Sequence, residues 1–205
     1  MDLPDDSVPA GSLAPAMTQA EQALLHAAVH DRPRMLEFGC GGSTVALVEA
    51  GIGHLLSVDS DPAWLGRVGR VPACAAAMAE GRLLLRHADI GPVGAWGRPS
   101  SPFVQPQWAR YWRDPWDLMR EPPDIVLVDG RFRVACALAG IPRLAGGGGL
   151  LLLHDFWHRQ CYRAPVLRHY AVEGSAGSLV LLRPRMPVDA AQLAVDLAAH
   201  AFDPD

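Results

Sequence analysis

The residues of this 205-residue chain that are best suited to chemistry lie in a glycine-rich turn. A short apolar run is followed by Gly39, Gly41 and Gly42, which omit side chains where the chain must bend sharply and where a ligand must approach the backbone. Ser43 or Thr44 can cap the helix that follows, and exposed amides at a helix N-terminus favour an electron-rich or anionic group. The turn therefore predicts a nucleotide-binding unit.

An acidic residue further along the chain supports this interpretation. Residues 54–58 are typical of a second strand, and Asp59 follows it, 20 residues beyond Gly39. In nucleotide-binding βαβ units an acidic residue at this place accepts hydrogen bonds from ribose hydroxyls. The alternative, a glycine turn and an unrelated solvated aspartate, requires two independent features to coincide at this spacing.

Residues that other nucleotide-binding motifs require are absent here, which restricts the nucleotides that the turn can bind. The dinucleotide fingerprint requires a glycine three residues after Gly41, and Thr44 stands there. A phosphate-binding P-loop requires a lysine, and all 18 basic residues of this chain are arginine. The lack of lysine also excludes lysine Schiff-base chemistry. An NAD-linked oxidoreductase is therefore a disfavoured alternative.

The stretch around the turn resembles the class I S-adenosylmethionine-dependent methyltransferases. Residues 36–43, with the acidic Glu37 two places before the first glycine, resemble the first motif of that superfamily, and residues 57–61 resemble the second. The resemblance extends over residues 34–183 and implies S-adenosylmethionine as cofactor and S-adenosylhomocysteine as product. Three further segments resemble a group of bacterial methyltransferase-like proteins of undefined substrate: residues 87–92, 96–97 and 128–136.

The resemblance also implies which residues bind the cofactor. Asp59 would bind the ribose, and Asp89, which follows a predicted strand at residues 82–86, would bond the adenine amino group. A helix-capping or turn aspartate is the alternative for Asp89. The implied cofactor-binding residues are Glu37, Gly39, Cys40, Gly41, Gly42, Ser43, Asp59, Ser60, Asp89 and Ile90.

Three polar residues follow the next two predicted strands. Asp129 follows residues 124–128, and His154 and Asp155 follow the apolar run at residues 150–153. Ligands bind at the carboxyl ends of the strands in open α/β sheets, so these three residues are predicted to be catalytic. His154 titrates near neutrality and can take the proton of a hydroxyl acceptor. A histidine bonded to the sheet end for structure is the alternative.

The same sheet edge raises the question of a metal. Asp129 and Asp155 occupy the places where catechol-type O-methyltransferases put metal-binding carboxylates, and magnesium commonly takes one or two carboxylates plus water. Phe156 stands where that family has a ligating amide, so no metal site is predicted and magnesium is not favoured. Arg131 and Arg133 could clamp a carboxylate or phosphate of the substrate, or could only form surface ion pairs.

The elements that position these residues are predicted to form one α/β domain at residues 17–205. The resemblance implies a Rossmann-like, doubly wound, seven-stranded and mostly parallel sheet that closes with an antiparallel C-terminal hairpin. Thr18 and Glu21 make a capping box for a first helix, which ends near His30. The other predicted elements are a helix at 62–80 interrupted near 69–72, helices from 132, at 160–169 and at 188–201, and a hairpin of residues 170–173 and 178–183 turned by 174–177.

Two segments depart from this pattern. Residues 1–16, rich in proline and aspartate, are predicted to be a flexible leader. Residues 91–123 hold seven prolines and four of the six tryptophans, which is too apolar for a solvated loop and too interrupted for a long helix. A lid or binding loop, a cover over a sheet edge and a dimer contact are the alternatives for this insertion.

Composition limits the partners. A net charge of -4 without a basic cluster in the sequence argues against a nucleic-acid partner, because phosphate binding needs a concentrated positive face. Residues 128–131 lack the Asn-Pro-Pro-Tyr-like motif of amino-group methylases, which favours a small-molecule acceptor. No apolar run approaches the ~18 residues of a membrane span, and four scattered cysteines indicate neither zinc nor disulfides. A cytoplasmic protein is predicted, and a homodimer is left open.

These observations lead to one function hypothesis and two alternatives. The leading hypothesis is a methyltransferase that uses S-adenosylmethionine and methylates a small molecule at oxygen. A cofactor-binding protein without catalysis, acting as an interaction module through its aromatic insertion, is the second. The NAD-linked oxidoreductase is the third.

Overall fold

A computed structural model describes residues 13–205. The strands are β1 (Arg34–Phe38), β2 (His54–Asp59), β3 (Leu83–His87), β4 (Ile125–Val128), β5 (Leu150–Leu153), β6 (Tyr170–Ala176) and β7 (Leu179–Pro184). The helices are α1 (Gln19–Val29), α2 (Gly42–Glu49), α3 (Pro62–Gly69), α4 (Pro72–Ala79), α5 (Ala109–Trp112), α6 (Arg133–Leu144), α7 (Gln160–His169) and α8 (Ala190–His200). Short 3₁₀ turns complete the insertion between β3 and β4.

The seven strands form one sheet in the order β3-β2-β1-β4-β5-β7-β6. The pairs among β1 to β5 are parallel, whereas β7 runs antiparallel to both β5 and β6. This arrangement confirms the predicted doubly wound sheet with its antiparallel C-terminal hairpin. The order reverses between β1 and β4, and open α/β sheets bind ligands at such a switch point.

Both faces of the sheet are covered, which explains the continuous apolar runs of the central strands. Every residue of β4 and β5 is buried, as expected for parallel strands with helices on both sides. One core lies under α1, α2, α3 and α4. The other lies under α6, α7, α8 and the insertion. The strand ends are therefore held rigidly at the edge where the candidate site lies.

Element boundaries follow the predictions closely, with one clear correction in the hairpin. The interruption of the helix at residues 62–80 is confirmed, because α3 and α4 are separate. The predicted turn at residues 174–177 is wrong, since Gly174 pairs with Leu181 and the chain turns later, at Gly177, whose φ is +53°. A register shift between Val172 and Gly174 absorbs the glycine within the strand.

The N-terminal segment packs against the glycine turn. The capping box is confirmed, because Thr18 N–H donates to Glu21 Oε2 at 2.7 Å and Glu21 N–H donates to Thr18 Oγ1 at 3.3 Å. A Cβ atom at Gly42 would lie 2.2 Å from the carbonyl oxygen of Ala14. Gly42, which has no side chain, lets Ala14 approach the turn, and the flexible leader stays a prediction for residues 13–16. Residues 1–12 of that prediction lie outside the described part of the chain.

The insertion is mainly a cover over one face of the sheet. Trp108, Tyr111 and Trp116 are buried, and the ring centroids of Tyr111 and Trp116 lie 5.9 and 5.6 Å from that of Phe38 on β1. Its other aromatic side chains include Trp96 and Phe103, which are 85% and 94% exposed. Within residues 13–205, no helix combines the length and apolarity needed to cross a membrane.

Candidate active site

The glycine turn joins the ends of β1 and β4. Gly39 has a φ of +94°, and a Cβ atom there would lie 2.6 Å from the backbone of Gly130. A Cβ atom at Gly130 would lie 2.8 Å from Gly39 and 2.1 Å from Tyr111 Oη. Gly41 is different, because a Cβ atom there would meet only the Trp64 ring, at 3.7 Å. Gly39 and Gly130 thus permit close packing, while Gly41 leaves space beside the turn for a ligand.

Glu37 is the buried anchor of this turn. Ser43 Oγ donates to Glu37 Oε1 at 2.6 Å, and Thr44 Oγ1 and Ser57 Oγ donate to Glu37 Oε2 at 2.6 Å each. Burial raises the pKa of Glu37 to about 7, although the three hydroxyl donors oppose the rise. Thr44 Oγ1 also accepts from Gly41 N–H at 2.9 Å. The side chains of Glu37 and Ser43 thus hold the turn in place, and their contact with the cofactor stays a prediction.

Asp59 has the environment expected of a ribose ligand. Its Oδ2 accepts from Cys40 N–H at 3.2 Å and its Oδ1 accepts from Asp61 N–H at 2.9 Å. Burial raises the pKa of Asp59 to about 6, against the lowering effect of these amides. A carboxylate can accept about four hydrogen bonds, so each oxygen retains capacity for a hydroxyl. Cys40 is fixed in turn by Trp64 Nε1–H, which donates to its carbonyl at 2.7 Å. The site fits a ribose-bearing cofactor.

Other predicted cofactor residues make contacts inside the protein. Gly42 faces Ala14, as described above, and Ser60 Oγ donates to the carbonyl of Gly97 at 2.8 Å. The Ile90 side chain is fully buried in the core. The side chains of Ser60 and Ile90 thus take part in internal packing, and cofactor binding by these two residues stays a prediction.

Asp89 lies at the carboxyl end of β3 on an exposed turn. Its Oδ1 accepts from Gly91 N–H at 3.1 Å, and its Oδ2 lies 3.8 Å from Arg110 Nη1. These contacts are those of a turn aspartate, the alternative interpretation. Recognition of adenine by Asp89 stays a prediction.

The three residues predicted to be catalytic do meet at one edge. His154 Nδ1 lies 2.9 Å from Asp129 Oδ1 and 3.9 Å from Asp155 Oδ1. Asp155 has a φ of +55°, the left-handed conformation that side chains rarely adopt, which turns it back toward this cluster. The second ring nitrogen, Nε2, lies 3.5 Å from Glu21 Oε1 on α1. The imidazole is thus placed between carboxylates from three parts of the chain.

Neighbouring charges favour the protonated form of His154. Burial lowers its pKa, but the hydrogen bond and charge of Asp129, with Asp155 and Glu21, outweigh burial and raise the pKa above 6.5. Burial raises the pKa of Glu21, yet hydrogen bonds from Thr18 and Ser178 bring it down to about 2, so Glu21 is ionised. His154 therefore stays protonated up to a higher pH than an isolated histidine does. Its role as general base stays a prediction, and its ring is held beside Asp129.

Arg133 locks the two strand ends together. Its Nε–H donates to the Gly130 carbonyl at 3.0 Å, and its Nη1–H donates to the His154 carbonyl at 2.8 Å. Its guanidinium also lies 3.3 Å from Asp129 Oδ1 and 3.2 Å from Asp155 Oδ2. Arg133 is buried, so it is neither a substrate clamp nor a surface pair. Its position four residues after Asp129, at the start of α6, was the available sequence signal for this role.

The same arginine bears on metal binding. Ligand atoms of Asp129, His154 and Asp155 lie within 4.8 Å of one another, close enough to surround a metal ion. Magnesium prefers oxygen ligands, and here the Arg133 guanidinium already contacts both carboxylates. The residues present therefore fit a magnesium ion poorly.

Comparison with known proteins agrees with this geometry. No family model and no curated protein sequence matches the chain. A solved methyltransferase-like protein from Silicibacter pomeroyi DSS-3 is 30% identical, with 94% of this chain and 99% of that chain covered and a TM-score of 0.81. An O-methyltransferase from Bacillus cereus, solved in complex with S-adenosylhomocysteine, is 12% identical over 83% of this chain and 84% of that chain, with a TM-score of 0.53, and supports the fold alone. The chain therefore belongs to the class I S-adenosylmethionine-dependent methyltransferases.

Proposed function

We propose that this methyltransferase acts on a small molecule, at oxygen, and that Asp129 receives the proton of the acceptor hydroxyl. The proposal rests on the contacts of the Asp129 carboxylate, which involve only one of its two oxygens. Among the described residues, His154 and Arg133 both contact Asp129 through Oδ1. Oδ2 has no hydrogen-bond partner among the described residues and the side chain is 22% exposed, so Oδ2 is the atom that we assign to the acceptor hydroxyl.

Cofactor and acceptor would meet across the β1–β4 switch point. The Gly41 backbone and the Asp59 carboxylate would hold S-adenosylmethionine, which supplies a sulfonium-bound methyl group when bound. Asp129 lies on the other side of the Gly39–Gly130 contact, because it directly precedes Gly130. Holding two reactants in a fixed orientation is the main contribution that a protein makes to such a displacement. The rigid strand ends provide that orientation.

His154 would support Asp129 as a proton acceptor. A hydroxyl must lose its proton as it attacks, and the Asp129–His154 pair can take that proton when His154 is neutral. The neutral form becomes more populated as the pH rises through the pKa of His154, which its acidic neighbours raise above the ordinary value. Methyl transfer should therefore increase with pH through the raised pKa of His154.

A labelled-methyl transfer assay tests the proposal. Hydroxyl-bearing metabolites and their amine counterparts would be offered with labelled S-adenosylmethionine, and oxygen acceptors should be methylated in preference. Asp129→Asn should then lower the rate about 100-fold, the lower range for general-base catalysis. Asp117→Asn is a matched control, because Asp117 is exposed and pairs only with Arg143 among the described residues. An Asp129→Asn enzyme as active as this control would refute the role of Asp129.

Two expectations about partners remain proposals. The first is that the protein binds no nucleic acid, and the second is that it forms a homodimer. The net charge of -4 supports the first. The exposed Trp96 and Phe103 of the insertion are compatible with a dimer contact.

A further inference from the structure

We infer that the acceptor carries a carboxylate, and that this carboxylate binds between Arg98, Arg131 and Arg159, in the place that the Asp205 side chain takes in this structure. The inference rests on the proposed function, because it names the class of acceptor for the same site. Three guanidinium groups from distant segments converge there, one from the insertion, one after β4 and one before α7.

Asp205 is the carboxylate that shows where the anion would bind. Arg98 contacts both of its oxygens, through Nη1 to Oδ1 and through Nη2 to Oδ2 at 3.2 Å. Arg131 Nη1 and Arg159 Nη1 each lie 3.9 Å from the same Oδ1. The hydrogen bond from Arg98 is the main cause that holds the pKa of Asp205 below its ordinary value. A fork of guanidinium donors is the geometry that proteins use to recognise carboxylates.

Three arginines share the Asp205 side chain, and the charge of Asp203 also acts on Arg98. Asp155 lies 3.7 Å from Arg159 Nη2 but closer, at 3.2 Å, to Arg133. A carboxylate that displaces the Asp205 side chain would therefore meet three guanidinium groups. Arg131 and Arg159 have only long contacts with Asp205, because Arg98 has the closest one.

Arg131 gives the strongest indication that an anion binds here, because part of its guanidinium lacks a hydrogen-bond partner among the residues described. Its side chain is only 14% exposed, and its Nε has no hydrogen-bond partner within residues 13–205. Burial, followed by the charge of Arg133, lowers its pKa. A buried polar group without a hydrogen bond is costly and rare in proteins. The Tyr162 hydroxyl, whose ring lies 5.7 Å from the Arg159 guanidinium, is also buried and without a partner in the described chain. A bound anion could serve donors of this kind.

The cluster lies beside the reaction site. Arg98 follows Gly97, where a Cβ atom would be 3.4 Å from Asp59 Oδ1, the predicted ribose ligand. Arg131 follows Gly130, which packs against the glycine turn, and is two residues after Asp129. A carboxylate held by these arginines would therefore keep its molecule next to both the cofactor and the proposed proton acceptor.

Asp205 can be displaced by such a molecule. The Arg98–Asp205 pair is about half exposed, and exposed ion pairs contribute little to stability. The backbone around it is held by three hydrogen bonds: Phe132 N–H donates to the Pro204 carbonyl at 3.2 Å, Asp203 N–H to the His200 carbonyl at 3.1 Å, and Asp205 N–H to Asp203 Oδ1 at 3.1 Å. None of them involves the Asp205 carboxylate, which can therefore leave the arginines without breaking them. Asp205 thus acts as a tethered competitor that fills the subsite until an acceptor arrives.

Acetate binding tests the inference without turnover. Acetate is a carboxylate small enough for a subsite of any shape, and acetamide is its neutral counterpart. Arginine Nε–H signals of ¹⁵N-labelled protein would be followed by NMR in the presence of S-adenosylhomocysteine. In Asp205→Asn, acetate should shift the Arg131 signal saturably and bind about tenfold more tightly than in the wild type, since its competitor is gone. Acetamide should cause no saturable shift.

Controls separate the subsite from general charge effects. Arg183 is an exposed arginine paired with Glu173, so its Nε–H should shift only linearly with acetate. Glu173→Gln, which removes that carboxylate, should leave acetate binding at Arg131 unchanged. Arg159→Gln in the Asp205→Asn background should weaken acetate binding about tenfold, the loss of one charge-assisted hydrogen bond.

Two results would overturn the inference. The first is an Arg131 signal in Asp205→Asn that responds to acetate no more than Arg183 does. The second is an Arg131→Gln variant that weakens S-adenosylhomocysteine as much as acetate, because the cluster would then hold the carboxylate of the cofactor. Neither result touches oxygen methylation by Asp129. Conversely, an active Asp129→Asn enzyme that still binds acetate would refute the proposed function alone.

Discussion

Glu37→Gln should make the protein less sensitive to alkaline pH, because Glu37 is a buried carboxyl group whose charged form is disfavoured. Burial raises its pKa from 4.5 to about 7. A group whose pKa is raised on folding contributes stability that is fully present below the unfolded pKa and is lost as the pH rises through the folded pKa. For Glu37 the loss of stability therefore takes place between about pH 4.5 and about pH 7.

The size of the effect follows from the same values. A rise from 4.5 to about 7, at about 1.4 kcal/mol per pH unit, corresponds to about 3 kcal/mol. Glutamine keeps the shape but cannot ionise; its oxygen can accept from Thr44 and Ser57 while its amide NH2 donates to Ser43 Oγ. The free energy of unfolding of Glu37→Gln, minus that of the wild type, should therefore increase by about 3 kcal/mol between pH 4.5 and pH 8.

Urea unfolding at a series of pH values measures this difference, provided that each transition is two-state. Glu49→Gln is a matched control, since Glu49 is an exposed glutamate on α2, the helix that follows the turn. Its difference from the wild type should be small and constant with pH. A flat profile for Glu37→Gln would refute the idea that a disfavoured charge lies beneath the glycine turn.

Three further predictions concern the cofactor, the histidine and metal ions. Asp59→Ala should lose about 2–3 kcal/mol of S-adenosylhomocysteine affinity by calorimetry, the range for hydrogen bonds to a charged group, and an unchanged dissociation constant would refute the ribose assignment. The raised pKa of His154 means that its protonated form stabilises the fold below pH 6.5 and that this contribution is lost as the pH rises through the raised value. The stability difference between wild type and His154→Gln should therefore shrink with rising pH. A growing difference in urea unfolding would contradict the stabilising contacts between the protonated His154 and its carboxylates. Methyl transfer should survive EDTA because Arg133 contacts both carboxylates, and a loss that magnesium restores would argue otherwise.

Features that depend on neighbouring strands could be predicted from the sequence. Parallel strands bring their carboxyl ends to one edge, so the positions of Asp59, Asp129 and His154 at strand ends placed them near the glycine turn. The glycine turn itself was visible because Gly39 must accept a positive φ and a close neighbour. Local rules of this kind need no knowledge of how distant segments pack.

Features that depend on distant packing could not be predicted. Glu21 was visible only as part of a capping box, yet its second oxygen faces His154 because α1 packs beside the sheet edge. Arg98 and Asp205 are 107 residues apart and meet only through the folded insertion. The composition of the insertion indicated burial, but not that Trp108 and Trp116 are buried while Trp96 is exposed. Long-range contacts of side chains have no signature in sequence periodicity.

A crystal structure with S-adenosylhomocysteine bound tests the central claim most directly. The account predicts that both ribose hydroxyls donate to Asp59 and that the sulfur, which marks the vacant methyl position, faces the open Oδ2 of Asp129. Ribose bound away from Asp59, or a sulfur directed away from Asp129 with the Asp129–His154 pair screened from the cleft, would contradict it.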